Sequence, residues 1–332
     1  MATTRILFIG GTGVISSAVV ARSLALGHDV AVLNRGTTSL RPVPDGVETL
    51  QADVRDPAAV EAAIGTREFD VVADFLAFTP EHVAADVARF EGRVGQYLFI
   101  SSASAYQTPP QRLPVTESTP LRNPFWQYSR DKIACEDLLV HAYRDRGFPA
   151  TIVRPSHTYD RTMLPTTGHW TDIARMRAGK PVVVHGDGTS LWTITHARDV
   201  AVGIAGLLGH HAAIGEAFHA TGGEAPTWDQ IYGWLADAAG VEPRLVHVAS
   251  ETIAREHPPA GPGLLGDKAH SMVFDNAKLR ALVPGFGTTV RYQEGAREVV
   301  AFHDAHPELQ RVDRELDAAF DRLVAHADAA GR

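Results

Sequence analysis

One cysteine, no long basic run and no extended apolar stretch narrow the classes open to this chain before any motif is considered. The lone thiol, Cys135, has no partner for an internal disulfide, which fits a reducing compartment, and its place in a helical pattern predicts a buried, unreactive role. The apolar opening Ile6 to Ile9 is too short for a signal core or a membrane span and runs straight into glycines. A cytoplasmic protein without membrane contact is therefore expected. Metal-ligand spacing is missing too: the 16 histidines form no HExxH string or other close pair, and His210 and His211 would point apart on a helix, so no metal is predicted. A formal charge of −8 and a pI near 6.0 supply no basic field, which argues against a nucleic-acid partner.

What is present is the composition of a globular protein. With 332 residues, 45% hydrophobic and 21% charged, the chain can bury the core of one large domain or one and a half. Short apolar runs alternate with helical patterns: RILFI, VISSAVVARSLALG, DVAVLN, a loop, DPAAVEAAIG, FDVVADFLAF, EHVAADVARF, QYLFISS, YSRDKIACEDLLVHAYRDRG and ATIVRP. That order predicts right-handed crossovers and an α/β fold with a doubly wound parallel sheet over residues 1–155. Beyond Pro155 the texture turns to loops rich in Pro, Gly and His. Residues 196–220 are expected to return to the main sheet, 156–195 and 221–306 to form a smaller substrate lobe, and 307–332 to be a helical tail that frays.

The string FIGGTGVISS ends a strand and opens a helix. Gly10, Gly11 and Gly13 permit the turn and a close backbone approach, so Gly10, Gly11, Thr12, Gly13, Val14 and Ile15 are candidates to hold a pyrophosphate at the helix N-terminus. The candidate catalytic group lies further on, where QYLFISSASAY exposes hydroxyls at a strand end and YSRDK follows 26 residues after Ser102. Tyr128 and Lys132, four apart, share one helix face. A phenol is a poor base at neutral pH, and a neighbouring ammonium is expected to favour its phenolate for proton transfer coupled to hydride movement.

Together these strings resemble the NAD-dependent epimerase/dehydratase branch of the extended short-chain dehydrogenases/reductases, over roughly residues 5 to 300, with Ser16 in place of the third glycine of the GxxGxxG turn. The resemblance implies a Rossmann fold, Tyr128 as acid/base, Lys132 on the nicotinamide ribose, Ser102 on the reacting oxygen and Ser104 as an auxiliary donor. It also implies that Asp53 and Val54 contact the adenine. Asn34 stands where NAD enzymes of this type carry a ribose-binding carboxylate, and Arg35 follows it. A guanidinium there suits a 2′-phosphate, which favours NADP(H) over NAD(H), while a stacked or solvated Arg35 would leave NAD(H).

Two departures bear on the substrate. The acidic pair that dehydratases place after the catalytic hydroxyl is Ala103 and Ser104 here, which disfavours dehydration. Trp192 and Leu264 replace the arginines that sugar-nucleotide enzymes set against a pyrophosphate, and an indole cannot neutralise a phosphate. Arg198, Lys268 and His270 are the candidate replacements for those cations. Phe125, Trp126 and His157, with Trp192 and Arg198, are the candidate substrate contacts. The expected activity is epimerisation or oxidoreduction of a secondary alcohol of a sugar, nucleotide or similar polyol. An NADPH-dependent ketoreductase is the chief alternative, and a non-catalytic NADP-sensing or RNA-associated scaffold a third. A homodimer is a further implication of the resemblance.

Overall fold

The computed structural model describes residues 3–37 and 40–330. The first half alternates β1 (Arg5–Ile9), α1 (Val14–Ala25), β2 (Asp29–Asn34), β3 (Glu48–Gln51), α2 (Pro57–Ile64), β4 (Val71–Asp74), α3 (Pro80–Phe90), β5 (Gln96–Ile100), α4 (Gln127–Arg146) and β6 (Ala150–Pro155). Then come β7 (His157–Tyr159), α5 (Trp170–Arg177), β8 (Val182–His185), β9 (Ile194–His196), α6 (Ala197–Leu207), β10 (Ala217–Ala220), α7 (Trp228–Ala239) and β11 (Leu245–Val248). The chain ends with α8 (Ser250–Glu256), the short α9 (Gly261–Gly263), a π-helical turn at Leu264–Lys268, α10 (Ala277–Leu282), α11 (Tyr292–Ala305) and α12 (Arg314–Ala330).

Seven parallel strands form the main sheet in the order β3-β2-β1-β4-β5-β6-β10. The strand order reverses between β1 and β4, so a crevice opens there beyond the carboxyl ends of the strands. The central strands are continuous apolar runs because helices cover both faces. In β5, QYLFI, every residue is buried, whereas the edge strand β3 buries only Leu50. Local signals set the helix ends: Asp56 caps α2 by accepting from the amides of Ala58 and Ala59 at 3.0 and 3.1 Å, and α4 stops at Gly147, which takes a left-handed φ of 69°.

The remaining lobe is assembled from distant segments. Two parallel strand pairs, β7 with β9 and β8 with β11, support a second core around Trp192, Trp228, Tyr232 and Tyr292. The C-terminal helix differs from the expected fraying tail. Leu316, Phe320 and Leu323 of α12 are buried against Val183 and Ile253, and the buried Arg175 pairs with Asp317 and, at 2.9 Å, with Asp321. An alanine-rich sequence conceals that packing because its apolar stripe is only a few large residues wide.

Candidate active site

A cavity of about 820 Å³ fills the crevice at the switch point and extends into the second lobe. At one end lies the glycine turn. Gly10 has φ of +85°, and a Cβ there would fall 2.5 Å from Leu76 Cγ. Gly11 does not line the cavity: it sits beneath the turn, where a Cβ would come within 2.5 Å of Val32, so its glycine serves the packing of turn on strand. Gly13 precedes α1, and its amide donates to the buried Ser16 hydroxyl at 2.9 Å, a bond that a third glycine could not accept. The amides of Val14 and Ile15 have no acceptor among the described residues and open onto the cavity. Unsatisfied helix N-terminal donors beside a cleft of this length fit the pyrophosphate of a dinucleotide.

Asn34, Arg35, Asp53 and Val54 line the same end. Asn34 Oδ1 accepts from the Gly36 amide at 2.8 Å, and Gln51 Nε2 donates to the Arg35 carbonyl at 3.1 Å, fixing the backbone at the end of β2. The Arg35 side chain is exposed and has no carboxylate partner among the described residues. Asp53 Oδ1 accepts from the Arg55 amide at 3.0 Å.

Where the two lobes meet, Ser102, Ser104, Tyr128 and Lys132 come together on one wall. The hydroxyls form a chain. Ser129 donates to Ser104 at 2.8 Å, and Ser104 and Ser102 are 2.8 Å apart. Since Ser104 already accepts from Ser129, its own hydrogen can point to Ser102, which leaves the Ser102 hydrogen free for the cavity. Burial raises the Tyr128 phenol above its ordinary value, opposed by the nearby Ser102 hydroxyl and reinforced by the nearby Asp267 carboxyl. The ammonium does not offset this. Lys132 Nζ donates to the carbonyls of Ala77 and Ile100, both at 2.7 Å, and lies 5.8 Å from the Tyr128 ring centre. Burial with neutral carbonyls as partners brings the lysine down to about 8. Burial sets the upward direction at Tyr128, while Lys132 is held on the carbonyls of Ala77 and Ile100.

Of the candidate substrate contacts, Trp126, His157 and Trp192 line the cavity. The Trp126 ring centre is 4.9 Å from that of Tyr128, and His157 and Trp192 are 6.1 Å apart. His157 Nε2 is buried without a partner among the described residues, and burial lowers this imidazole to about 3, so it stays neutral. Phe125 and Arg198 lie elsewhere. Phe125 is 43% exposed outside the cavity lining, and Arg198, in the first turn of α6, reaches outward to Glu298 at 3.1 Å. His270 is likewise outside the lining, and Leu264 is buried against α12. Of the candidate replacement cations only Lys268 lines the cavity.

Two contributors escaped the sequence reading. Buried Asn123 donates through Nδ2 to the Ser104 carbonyl at 2.9 Å and to the Gly266 carbonyl at 2.6 Å, while its Oδ1 accepts from the amides of Phe125 and Trp126, both at 3.1 Å. One side chain thereby ties the segment that carries Ser102 and Ser104, the entry to α4 and the π-helical turn. The Asn-Pro pair at 123–124 is its one sequence signal, a turn initiator ahead of a helix. Asp267, on that π-helical turn, lines the cavity, and burial raises its carboxyl to about 7. No local pattern announces it. Among the described residues no group of three or more His, Cys, Asp or Glu is placed to hold a metal ion, and no helix is long and apolar enough to cross a membrane.

Comparisons with known proteins agree with this geometry. The model of the NAD dependent epimerase/dehydratase family matches residues 6–92 and 84–220. A 2′-dehydrokanamycin reductase of Streptomyces kanamyceticus is 30% identical over 86% of this chain and 80% of its own length. A UDP-glucose 4-epimerase of Lactobacillus helveticus is also 30% identical, but over 45% of this chain and 50% of its own length. Among solved structures, the UDP-glucose 4-epimerase of Bifidobacterium longum in complex with NAD+ and UDP superposes with a TM-score of 0.73 at 19% identity, covering 91% of this chain and 98% of the other.

Proposed function

This chain belongs to the NAD dependent epimerase/dehydratase family, and from that premise we propose that it is a ketoreductase, using NADPH to reduce a ketone on a sugar or related polyol to a secondary alcohol. One observation carries the reading: Tyr128 and the Ser102 hydroxyl stand together on the cavity wall, where both can donate to a carbonyl oxygen. When bound, the dinucleotide supplies the hydride that adds to the carbonyl carbon. Tyr128 passes its proton to the carbonyl oxygen as the carbon–oxygen double bond becomes single, and Ser102 donates a hydrogen bond to that oxygen. Lys132 keeps two of its three hydrogens on the carbonyls of Ala77 and Ile100 and offers the third to a ribose hydroxyl. It also stabilises the phenolate that remains once the proton has left.

Arg35 and the absence of a carboxylate at Asn34 support NADPH over NADH. Trp192 in the cavity, where a phosphate-binding arginine would serve a nucleotide sugar, supports a substrate without a diphosphate. The 2′-dehydrokanamycin reductase is matched over 80% of its length at 30% identity, whereas the Lactobacillus epimerase is matched over half. The test is to identify any dinucleotide released on denaturation and then follow keto-sugar reduction with added NADPH. One NADPH consumed per alcohol formed is expected. Turnover on a retained dinucleotide, without net consumption, would overturn the reading in favour of redox-neutral epimerisation.

A further inference from the structure

Asp267 is the one carboxylate on the substrate side of the cavity, and it is unpaired. Among the described residues its carboxyl accepts no hydrogen bond, and it has no ion pair within 4.0 Å. Its neighbour Lys268 forms no ion pair with it within 4.0 Å, although the lysine's charge partly opposes the effect of burial on the carboxyl. The Lys268 ammonium lies 5.9 Å from the Trp192 ring centre, and the Asp267 charge acts on the Tyr128 phenol. Both side chains line the cavity, the carboxylate near Tyr128 and the ammonium near Trp192. Asp267 is half-buried, and a carboxylate that lines a cavity without a partner is one that a cationic ligand can complete.

The support around Asp267 is rigid. Gly266, immediately before it, packs so closely on Trp126 that a Cβ would lie 3.0 Å from that residue's Cβ, and the Gly266 carbonyl is held by Asn123 at 2.6 Å. The same amide holds the Ser104 carbonyl, so the position of Asp267 is fixed relative to the catalytic hydroxyls. The turn that carries it is π-helical, a local irregularity that re-aims side chains and is frequent at functional sites. Trp126 and Trp192 supply indole faces on the same cavity, surfaces that suit both the C–H face of a sugar ring and a cation.

We propose that Asp267 selects the substrate by binding a protonated amine on the sugar or polyol, close to the carbon that is reduced. This rests on the ketoreductase reading and adds the charge of the substrate: a cation, opposite in sign to the diphosphate that the family's nucleotide-sugar enzymes accommodate. An ammonium beside this carboxyl favours its charged form against the desolvation that raises it.

Kanamycin, with its amines protonated at neutral pH, and its per-N-acetylated form serve as charged and uncharged probes on the alcohol side. Binding of each to the NADP+-loaded protein is measured by calorimetry, and NADPH formation is followed in parallel. Wild type is expected to favour kanamycin, and D267N to lose at least about tenfold of that preference while NADP+ binding is unchanged. K268Q should retain or increase it. Failure of wild type to bind kanamycin more tightly than the acetylated form, or an unchanged preference in D267N, overturns the proposal. A D267N protein that binds both probes like wild type but turns both over more slowly assigns Asp267 to the chemistry and also overturns it. Charge-selective binding with no NADPH formed would instead count against the reductase reading and leave the amine site standing.

Discussion

The two ends of the cavity are built by different means. At the dinucleotide end each lining segment is a strand terminus followed by its own turn: Gly10–Ile15 after β1, Asn34 and Arg35 at the end of β2, Asp53 and Val54 after β3. Sheet register brings these termini together, with Ile9 opposite Leu33 on one side and Asp74 on the other. At the substrate end, Trp126, His157, Trp192, Asp267 and Met272 come from separate stretches of chain. They are joined by long-range backbone and side-chain bonds such as Trp192 to Pro226 at 2.8 Å, Thr193 to Met272 at 3.2 Å and Asn123 to Gly266 at 2.6 Å. A binding end made by topology is generic, whereas one made by distant bonds can be altered piece by piece, which is how a single fold serves many substrates.

The sharpest break of this contrast lies at the seam. Tyr128→Phe removes only a hydroxyl, and kcat/KM is expected to fall by roughly 10²–10⁴, the usual worth of a positioned acid, with dinucleotide affinity and melting temperature unchanged. Steady-state kinetics beside a dinucleotide titration checks it. If affinity fell with turnover, the proton-transfer group could not be separated from the dinucleotide end. At that end itself, Gly11→Ala drives a Cβ into Val32 and is expected to cost about 1–3 kcal/mol of stability, read from denaturant unfolding. At the other end Asn123→Ala leaves four backbone groups without their partner and should cost a similar roughly 1–3 kcal/mol, but with KM for the ketone rising and dinucleotide affinity held.

The same contrast explains what could be read in the sequence. Central strands such as QYLFI and the glycine turn are local patterns, and the turn's small residues are dictated by contacts a few ångströms away within one crossover unit. The Tyr128 and Lys132 spacing is local too, and the helix delivers both to one wall. Phe125 and Arg198 were drawn to the site by their chemistry, yet chain direction places one in solvent and pairs the other with Glu298. Asp267 and Asn123 are the converse. Their roles depend on a turn at 264–268 meeting a strand end at 102–104, a contact across well over a hundred residues that no periodicity encodes. The chemistry of Lys132 was legible but its surroundings were not, because its two carbonyl partners lie in the loop after β4 and at the end of β5.

Arg35→Ala sharpens the comparison at the dinucleotide end. An exposed guanidinium without a carboxylate partner is free to meet a 2′-phosphate, and its loss should lower the NADPH-over-NADH preference by about 10–100-fold, the worth of a charge-assisted contact, while ketone KM stays fixed. An unchanged preference would reject Arg35 as the discriminating residue.

The smallest effect is expected from the pH dependence of stability, and it follows from the burial of Lys132. In the folded protein this lysine is brought down to about 8, while in the unfolded chain it holds its proton up to the ordinary value of about 10.4. Between those two values the unfolded state binds the extra proton, so the contribution of Lys132 to folding stability rises with pH across that window and is flat below it. Lys132→Met replaces the ammonium by an apolar group of similar length. It removes the rise, and it relieves the cost of the buried charge while leaving the carbonyls of Ala77 and Ile100 without a donor, so the net change at neutral pH is expected to stay within about 1–2 kcal/mol. Denaturant unfolding from pH 7 to 10 checks both parts. A wild-type curve without that rise would mean that the lysine keeps its proton in the folded state, and that the wall where the two ends of the cavity meet is more polar than its burial implies.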